Sequence, residues 1–383
     1  MRALVLRGRG EIAYVEKPEP KLLSPHGALL RSKLISPCTS DVHTIWQGSP
    51  KKPELTLGHE CLAEIAEVGG AVRDFRPGEL VAVSAVTPDW SQPDVLENYA
   101  HAGYNFSAHM LGKSIDGAFQ ELFYLPYADR NLARIPEGMD LLDALMAVDV
   151  CQTGFTAAEE GEVRKGQEIA VLGIGAIGLS AILAARHYGA KRIFAVGSRR
   201  ENAEIAKSFS DEHCQVELID YKSCVSALPE GLHPLANSTG SPVVNEILKR
   251  TALRGVDSVL LCGGDEKSFP MAVDMVKYGT GIVSNIMYFG AEPGKEKLQE
   301  EHRGIDALEI PKFSIGRGMA GKTLRFSLSK GGRENLERIL HILTTERLHP
   351  GCFVTKQYQG LDKTAEAIYD MKERRAIKIA ISV

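Results

Sequence analysis

In the 383-residue chain no fully apolar stretch is expected to reach the roughly 20 residues that a bilayer-spanning helix needs. Its opening, MRALVLRGRG, runs straight into a strand-like segment, so no signal peptide is expected. It has no surplus of either charge. With 45 Lys and Arg against 49 Asp and Glu, the net charge is −4. The basic residues are scattered, which argues against a nucleic-acid or membrane surface. Seven cysteines (Cys38, Cys61, Cys151, Cys214, Cys224, Cys262 and Cys352) are odd in number and far apart. They are better read as reduced thiols in a cytoplasmic protein than as a disulfide framework. Repeats and low-complexity tracts are also missing. What remains, 44% hydrophobic and 25% charged residues, is the mix of a soluble globular chain long enough for two domains.

One stretch organises the rest: Glu168 to Arg200, EIAVLGIGAIGLSAILAARHYGAKRIFAVGSRR. A short apolar run, Ile169 to Leu172, reads as a buried parallel strand. It flows into Gly173-x-Gly175-x-x-Gly178, with Ile177 inside the turn, and then into an Ala/Leu-rich helix ending near Gly189. In a dinucleotide site one glycine makes the tight turn, one lets the backbone approach a pyrophosphate, and one lets helix and strand pack closely. The diphosphate would sit on the helix N-terminus, where unpaired N–H groups and the dipole favour negative charge. A glycine pattern alone is weak among 37 glycines; the strand before and the helix after make it specific.

Residues 1 to about 150 are strand-rich, broken by turns at Pro18, Pro20, Pro25, Pro77-Gly78 and Pro136-Glu137-Gly138, and predict a barrel-like β-domain. From there the texture turns to alternating strand and helix, with strands at Val216–Ile219, Ser258–Leu261 and Ile282–Met287, which predicts a doubly wound α/β domain. The tail reads as helix, strand, helix and a closing strand, Ile377 to Val383.

Two segments of the first domain carry metal-ligand chemistry, Cys38-Thr39-Ser40-Asp41-Val42-His43 and Gly58-His59-Glu60-Cys61. A thiolate and an imidazole suit zinc, and a catalytic zinc commonly takes three protein ligands and keeps one position open. Asp149, a lone acid in the apolar stretch Ala147-Val148-Asp149-Val150, is the candidate third ligand. A buried carboxylate without a partner is costly, and a metal would account for it. The competing reading makes Asp149 the cap of a helix starting near Thr153 and Cys38 a small buried hydrophobe.

These blocks, with Thr87-Pro88-Asp89-Trp90, Thr153-Gly154-Phe155, Ala195-Val196-Gly197-Ser198-Arg199, Asn285 and Tyr288-Phe289-Gly290, resemble the zinc-dependent medium-chain alcohol dehydrogenase family. Within it they are most similar to the NADP-dependent secondary alcohol dehydrogenases of anaerobic bacteria and archaea. The resemblance covers nearly the whole chain. It implies a GroES-like catalytic domain over residues 1–152, completed by 329–383, and a Rossmann NADP-binding domain over 153–328. It implies a catalytic zinc on Cys38, His59 and Asp149, with Glu60 able to move on or off the metal. Ser40 would be the first relay for the alcohol proton, with His43 behind it. Many relatives hold a structural zinc on four closely spaced cysteines; no cysteine lies between Cys61 and Cys151, so one zinc per chain follows.

NAD-binding versions place an acid at the end of the second strand, about 20 residues after the glycine turn. Here Gly197, Ser198, Arg199 and Arg200 stand there, and a guanidinium suits a 2′-phosphate. Alternatively, Arg199 and Arg200 are helix-start surface residues. By resemblance Tyr221 lines the adenosine end, and NADP(H) is the expected cofactor. Also by resemblance, Ala85, His109, Tyr288 and Leu328 line the substrate pocket with Ser40. Relatives acting on small apolar alcohols tend to have tryptophan at the place of His109, so a more polar or anionic alcohol is an open alternative. Arg317 either meets an anionic substrate or joins an ordinary intersubunit ion pair. The resemblance further implies a homotetramer acting on a small alcohol or carbonyl compound. Zinc-free quinone or enoyl reductases of the same fold lose the thiolate and histidine ligands, so Cys38 and His59-Glu60 argue against that reading. A non-enzymatic module would have no reason to hold both a metal triad and a 2′-phosphate site.

Overall fold

Every residue of the strand Glu168–Leu172 is buried. A strand covered on both faces belongs inside a parallel sheet, and this one is its centre. In the computed structural model, which describes residues 1–46, 53–92, 95, 111–287 and 316–383, six parallel strands run side by side. Their order is Gln215–Ile219, Arg192–Val196, Glu168–Leu172, Ser258–Leu261, Ile282–Asn285 and Thr323–Phe326. The chain winds outward in one direction from Glu168–Leu172 and then in the other from Ser258–Leu261. The switch point between these two strands is where such sheets bind ligands, at their carboxyl ends. Phe194, Val259, Leu261 and Val283 on the sheet pack with Val244, Ile247 and Phe269 from helices Pro242–Arg250 and Ser268–Met275 into one apolar cluster.

This sheet lies in the unit Thr153–Leu328; Met1–Gln152 and Ser329–Val383 make the other. The split unit is built on strands Val354–Gln359, Lys378–Ser382, Ala28–Ser36, Glu60–Val68, Leu80–Val83 and Leu132–Arg134, in that order, with Leu122–Leu125 also pairing with Ala28–Ser36. A second small sheet is made by Arg2–Gly8 between Glu11–Glu16 and Leu55–Thr56. An isolated bridge from Ala3 to Gln120 and a bond from Leu4 N to Phe119 O (2.9 Å) tie it to the rest of the unit. Leu30, Ile35, Ile65, Phe75, Phe119 and Phe123 fill the interior that the two sheets enclose.

The reading of Asp149 as a helix cap is not what the structure shows. Leu141–Glu160 is one unbroken helix, and Ala147–Cys151 within it is a single π-turn that contains Asp149. A π-turn inserts extra backbone into a helix and re-aims the side chains on it. The Val148 carbonyl accepts from Ala85 N (3.1 Å) and from Gln152 Nε2 (2.6 Å). Gln152 is in turn held by Asn335 Nδ2 at 2.9 Å.

Candidate active site and nucleotide site

Two strand ends and the π-turn bring the metal-type residues together. Ala28–Ser36 and Glu60–Val68 are antiparallel, with Ser36 opposite Glu60, so Cys38 and His59 emerge from the same end of the pair. Cys38 then opens the helix Thr39–Trp46. One donor atom from each of Cys38, His59, Glu60 and Asp149 lies within 4.8 Å of every other. Cys38 Sγ is 3.6 Å from Asp149 Oδ2, and His59 Nε2 is 3.9 Å from the same oxygen. Among the described residues this is the single such cluster.

The electrostatics are those of a site built around a cation. Glu60 is fully buried, His59 is 5% exposed and Asp149 is 9% exposed. Burial pushes the Cys38 thiol up, and the carboxyls of Glu60 and Asp149 push it further. Burial also drives Glu60 up to about 7, against the pull of Lys378. Three groups that are negative as ligands thus crowd a dry space and repel one another. A divalent ion would relieve that repulsion, and sulfur, nitrogen and carboxylate donors together suit zinc.

His59 is oriented from behind by a residue that the sequence reading gave no role, Asp41. Its Oδ1 stands 3.6 Å from His59 Nδ1, and its Oδ2 accepts from Cys38 N at 2.9 Å. Burial works against charge on His59, yet Asp41 outweighs it and holds the imidazole well above its usual range. A carboxylate on Nδ1 leaves Nε2 free to ligate, the arrangement that makes histidine a good metal ligand. The available signal was the acid three residues after Cys38.

Ser40 lies at this site, its Oγ 3.3 Å from His59 Nε2. His43 follows on the same helix three residues later, the spacing that puts two side chains on one face. Ala85 is buried where its N–H meets the Val148 carbonyl. His109 and Tyr288 lie outside the described residues, as does the side chain of Arg317. Leu328 is half-buried at the end of the nucleotide unit.

In the nucleotide unit, Gly173 has φ +83°, and a Cβ on it would come within 2.5 Å of the Gly263 backbone. A Cβ on Gly178 would lie 1.9 Å from Gly173 O, so these two positions admit only glycine. A Cβ on Gly175 would meet nothing within 4 Å. That glycine faces open space at the start of the helix Ala176–His187, whose first turn has no side-chain cap. Ile177 is on that first turn. Such a cradle fits a pyrophosphate. At the carboxyl end of the next strand but one, Asn285 Oδ1 is buried with no hydrogen-bond partner, a further place for a cofactor donor.

A cavity of about 200 Å³ adjoins the predicted phosphate residues Gly197, Ser198 and Arg199. Arg200 also lines it, as do Ile174 and Asp220, to which the sequence reading gave no part. A Cβ on Gly197 would lie 2.2 Å from Ile174 Cγ1, so the acid of NAD-binding relatives would not fit here unless Ile174 moved. Arg200 pairs with Glu204 at 2.7 Å. The Asp220 carboxylate accepts from Lys222 N and Ser223 Oγ. Tyr221 beside it is 52% exposed.

Comparison with known proteins agrees with both halves. Residues 24–137 match the model of the alcohol dehydrogenase GroES-like domain, and residues 176–306 that of the zinc-binding dehydrogenase. The NADP-dependent isopropanol dehydrogenase of Entamoeba histolytica is 34% identical over 378 residues, covering 98% of this chain and 93% of that protein. Its namesake from Clostridium beijerinckii is 35% identical over 381 residues, covering 98% and 97%. Among solved structures, the alcohol dehydrogenase TADH from Thermus sp. ATN1 superposes with a TM-score of 0.81 at 25% identity, with both chains covered in full. With its GroES-like and Rossmann halves and its buried zinc-type cluster, the chain belongs to the zinc-dependent medium-chain dehydrogenase/reductase family.

Proposed function

We propose that the protein catalyses the reversible NADP-dependent interconversion of a secondary alcohol and its ketone. The observation that carries this reading is the convergence of Cys38, His59, Glu60 and Asp149 in a chain whose nucleotide pocket offers arginine where NAD enzymes offer an acid. Cys38, His59 and Asp149 would hold zinc, which when bound supplies Lewis acidity toward a substrate oxygen. NADP supplies the hydride chemistry. The chain's own residues do the rest. Asp41 fixes the His59 ring, and the glycine turn seats the pyrophosphate. Ser40, with its Oγ at the ligand cluster 3.3 Å from His59 Nε2, would take the substrate hydroxyl proton as it gives up its own towards His43 on the same helix. Strong similarity to relatives named for isopropanol supports a small secondary alcohol.

The test joins metal and substrate. Elemental analysis of pure protein should give about one zinc per chain, since the cysteines for a four-cysteine second site are missing. With NADP, kcat/KM for propan-2-ol should exceed that for ethanol. Activity without zinc, or two tightly held zincs, would sink the proposal.

The same reading makes the protein a cytoplasmic homotetramer. Widely spaced, unbridged thiols suit a reducing compartment, and the edge strand Thr323–Phe326 leaves Phe326 62% exposed. Light scattering at micromolar concentration should give about four times 41.7 kDa. A monomer would refute it.

A further inference from the structure

Lys378 takes part in none of the steps above, yet it is one of the most deeply buried charges in the chain, at 2% exposure. It begins the strand Lys378–Ser382, which runs antiparallel to Ala28–Ser36 with Ile381 opposite Ile35 and Ser382 opposite Leu34. Continued outward, that register sets Lys378 across from Cys38. Its Nζ donates to Glu60 Oε1 at 2.6 Å, to Glu60 Oε2 at 2.5 Å and to Pro37 O at 3.0 Å. An ammonium has three donors and no acceptor, so all three are in use. Two hold both oxygens of Glu60. The third anchors the lysine to the backbone just before Cys38.

The four donors of Cys38, His59, Glu60 and Asp149 are enough to close a tetrahedral site. Closed four-ligand zinc is structural, whereas catalytic zinc needs an open position. Something must therefore decide between Glu60 and an incoming ligand. We infer that Lys378 is the positioning residue that tethers Glu60 away from the metal and so keeps one coordination position open. The inference rests on the zinc dehydrogenase reading. Without Lys378, the Glu60 carboxylate is a buried charge lacking its partner, and the metal becomes the partner that remains.

The experiment uses full-length protein with zinc replaced by Co²⁺, whose visible bands report coordination. Azide is the probe of an open position. In wild type, azide should shift the bands. In Lys378→Met, Glu60 should take the position, weakening apparent azide affinity by about 10- to 100-fold, the scale on which outer-shell partners act. Metal release to a chelator should slow in the same variant. In Lys378→Met/Glu60→Leu, which removes both charges, the azide response should return to within about threefold of wild type. Lys378→Gln keeps donors for Glu60 and Pro37 without the charge, and serves as the second variant if methionine disrupts folding; it should give a weakened azide response. A wild-type azide response in the single variants would overturn the inference, as would a double variant as impaired as Lys378→Met. Wild-type protein that bound no Co²⁺ would instead refute the metal centre, and the tether with it.

Discussion

Protein carrying Cys38→Ser should come out of purification with its zinc largely lost and kcat/KM down by at least about a thousandfold. Even partners one shell removed from a metal carry about 10- to 100-fold. A direct ligand carries more, because serine offers a hydroxyl that does not ionise where a thiolate stood. What is left around the space is His59 with the carboxyls of Glu60 and Asp149, a harder donor set with less hold on zinc. The nucleotide site should be untouched. Gly173, Gly175 and Gly178 belong to the unit Thr153–Leu328, whereas Cys38 belongs to the other. NADPH fluorescence titration should therefore give a Kd within about twofold of wild type, the additivity expected of residues that share no partners. Retention of both full zinc and full activity would show that Cys38 is not a ligand. A Kd for NADPH that rose with the loss of zinc would show the two sites to be coupled.

The second large effect is on cofactor choice. A charge-assisted bond from arginine to phosphate contributes about 1.5–3 kcal/mol. At about 1.4 kcal/mol per factor of ten, Arg199→Ala should lower kcat/KM for NADP by roughly 10- to 100-fold. Activity with NAD should change little. Asp220 sets the lower end of that range, because its carboxylate lines the same pocket and opposes the phosphate. Gly197→Asp alone is not a clean switch, since the new Cβ would stand 2.2 Å from Ile174 Cγ1. Ile174→Ala/Gly197→Asp makes the room. The added carboxylate can accept from the ribose hydroxyls and repel the phosphate, the repulsion that specificity usually needs. Steady-state kinetics with both cofactors and one secondary alcohol checks each variant. Equal use of NAD and NADP by wild type, or an unchanged preference in Arg199→Ala, would displace the phosphate from this pocket.

The parts of the molecule that local chemistry writes were legible before any coordinates. Glu168 to Arg200 announces strand, turn and helix because glycine and a short apolar run have few other uses in that order. Cys38 and His59-Glu60 stand out because a thiol, an imidazole and a carboxyl in two short segments suit one metal, and the structure gathers them with Asp149. The π-turn around Asp149 was not legible. Ala147 to Cys151 contains no glycine or proline, and beside the local bond from Gln152 its distortion is met by one from Ala85 that only the folded unit supplies. Lys378 was equally hidden, one of 45 basic residues, in the stretch Ile377 to Val383 that reads only as a closing strand. Its place beside Glu60 depends on a strand register set far away in sequence. The lack of room for a side chain at Gly197, beside Ile174, was beyond reach for the same reason: it is a matter of space between two loops.

The distance along the chain between Glu60 and Lys378 also bears on how the protein is made. They are 318 residues apart. At about 5–20 residues per second, a ribosome that has just placed Glu60 needs some tens of seconds before its counter-ion exists. Cys38 and His59 are already in place, and within that interval come Asp149 and the whole contiguous segment Thr153–Leu328, which is free to fold on its own contacts. The amino-terminal half-domain must wait, with the flank of Ala28–Ser36 that will later receive Lys378–Ser382 still bare. An exposed strand edge next to an uncompensated acid is what chaperones hold and what aggregates recruit. A transcript cut short just before codon 378 would encode every metal ligand and an intact nucleotide domain, and its product would still be stranded at this stage.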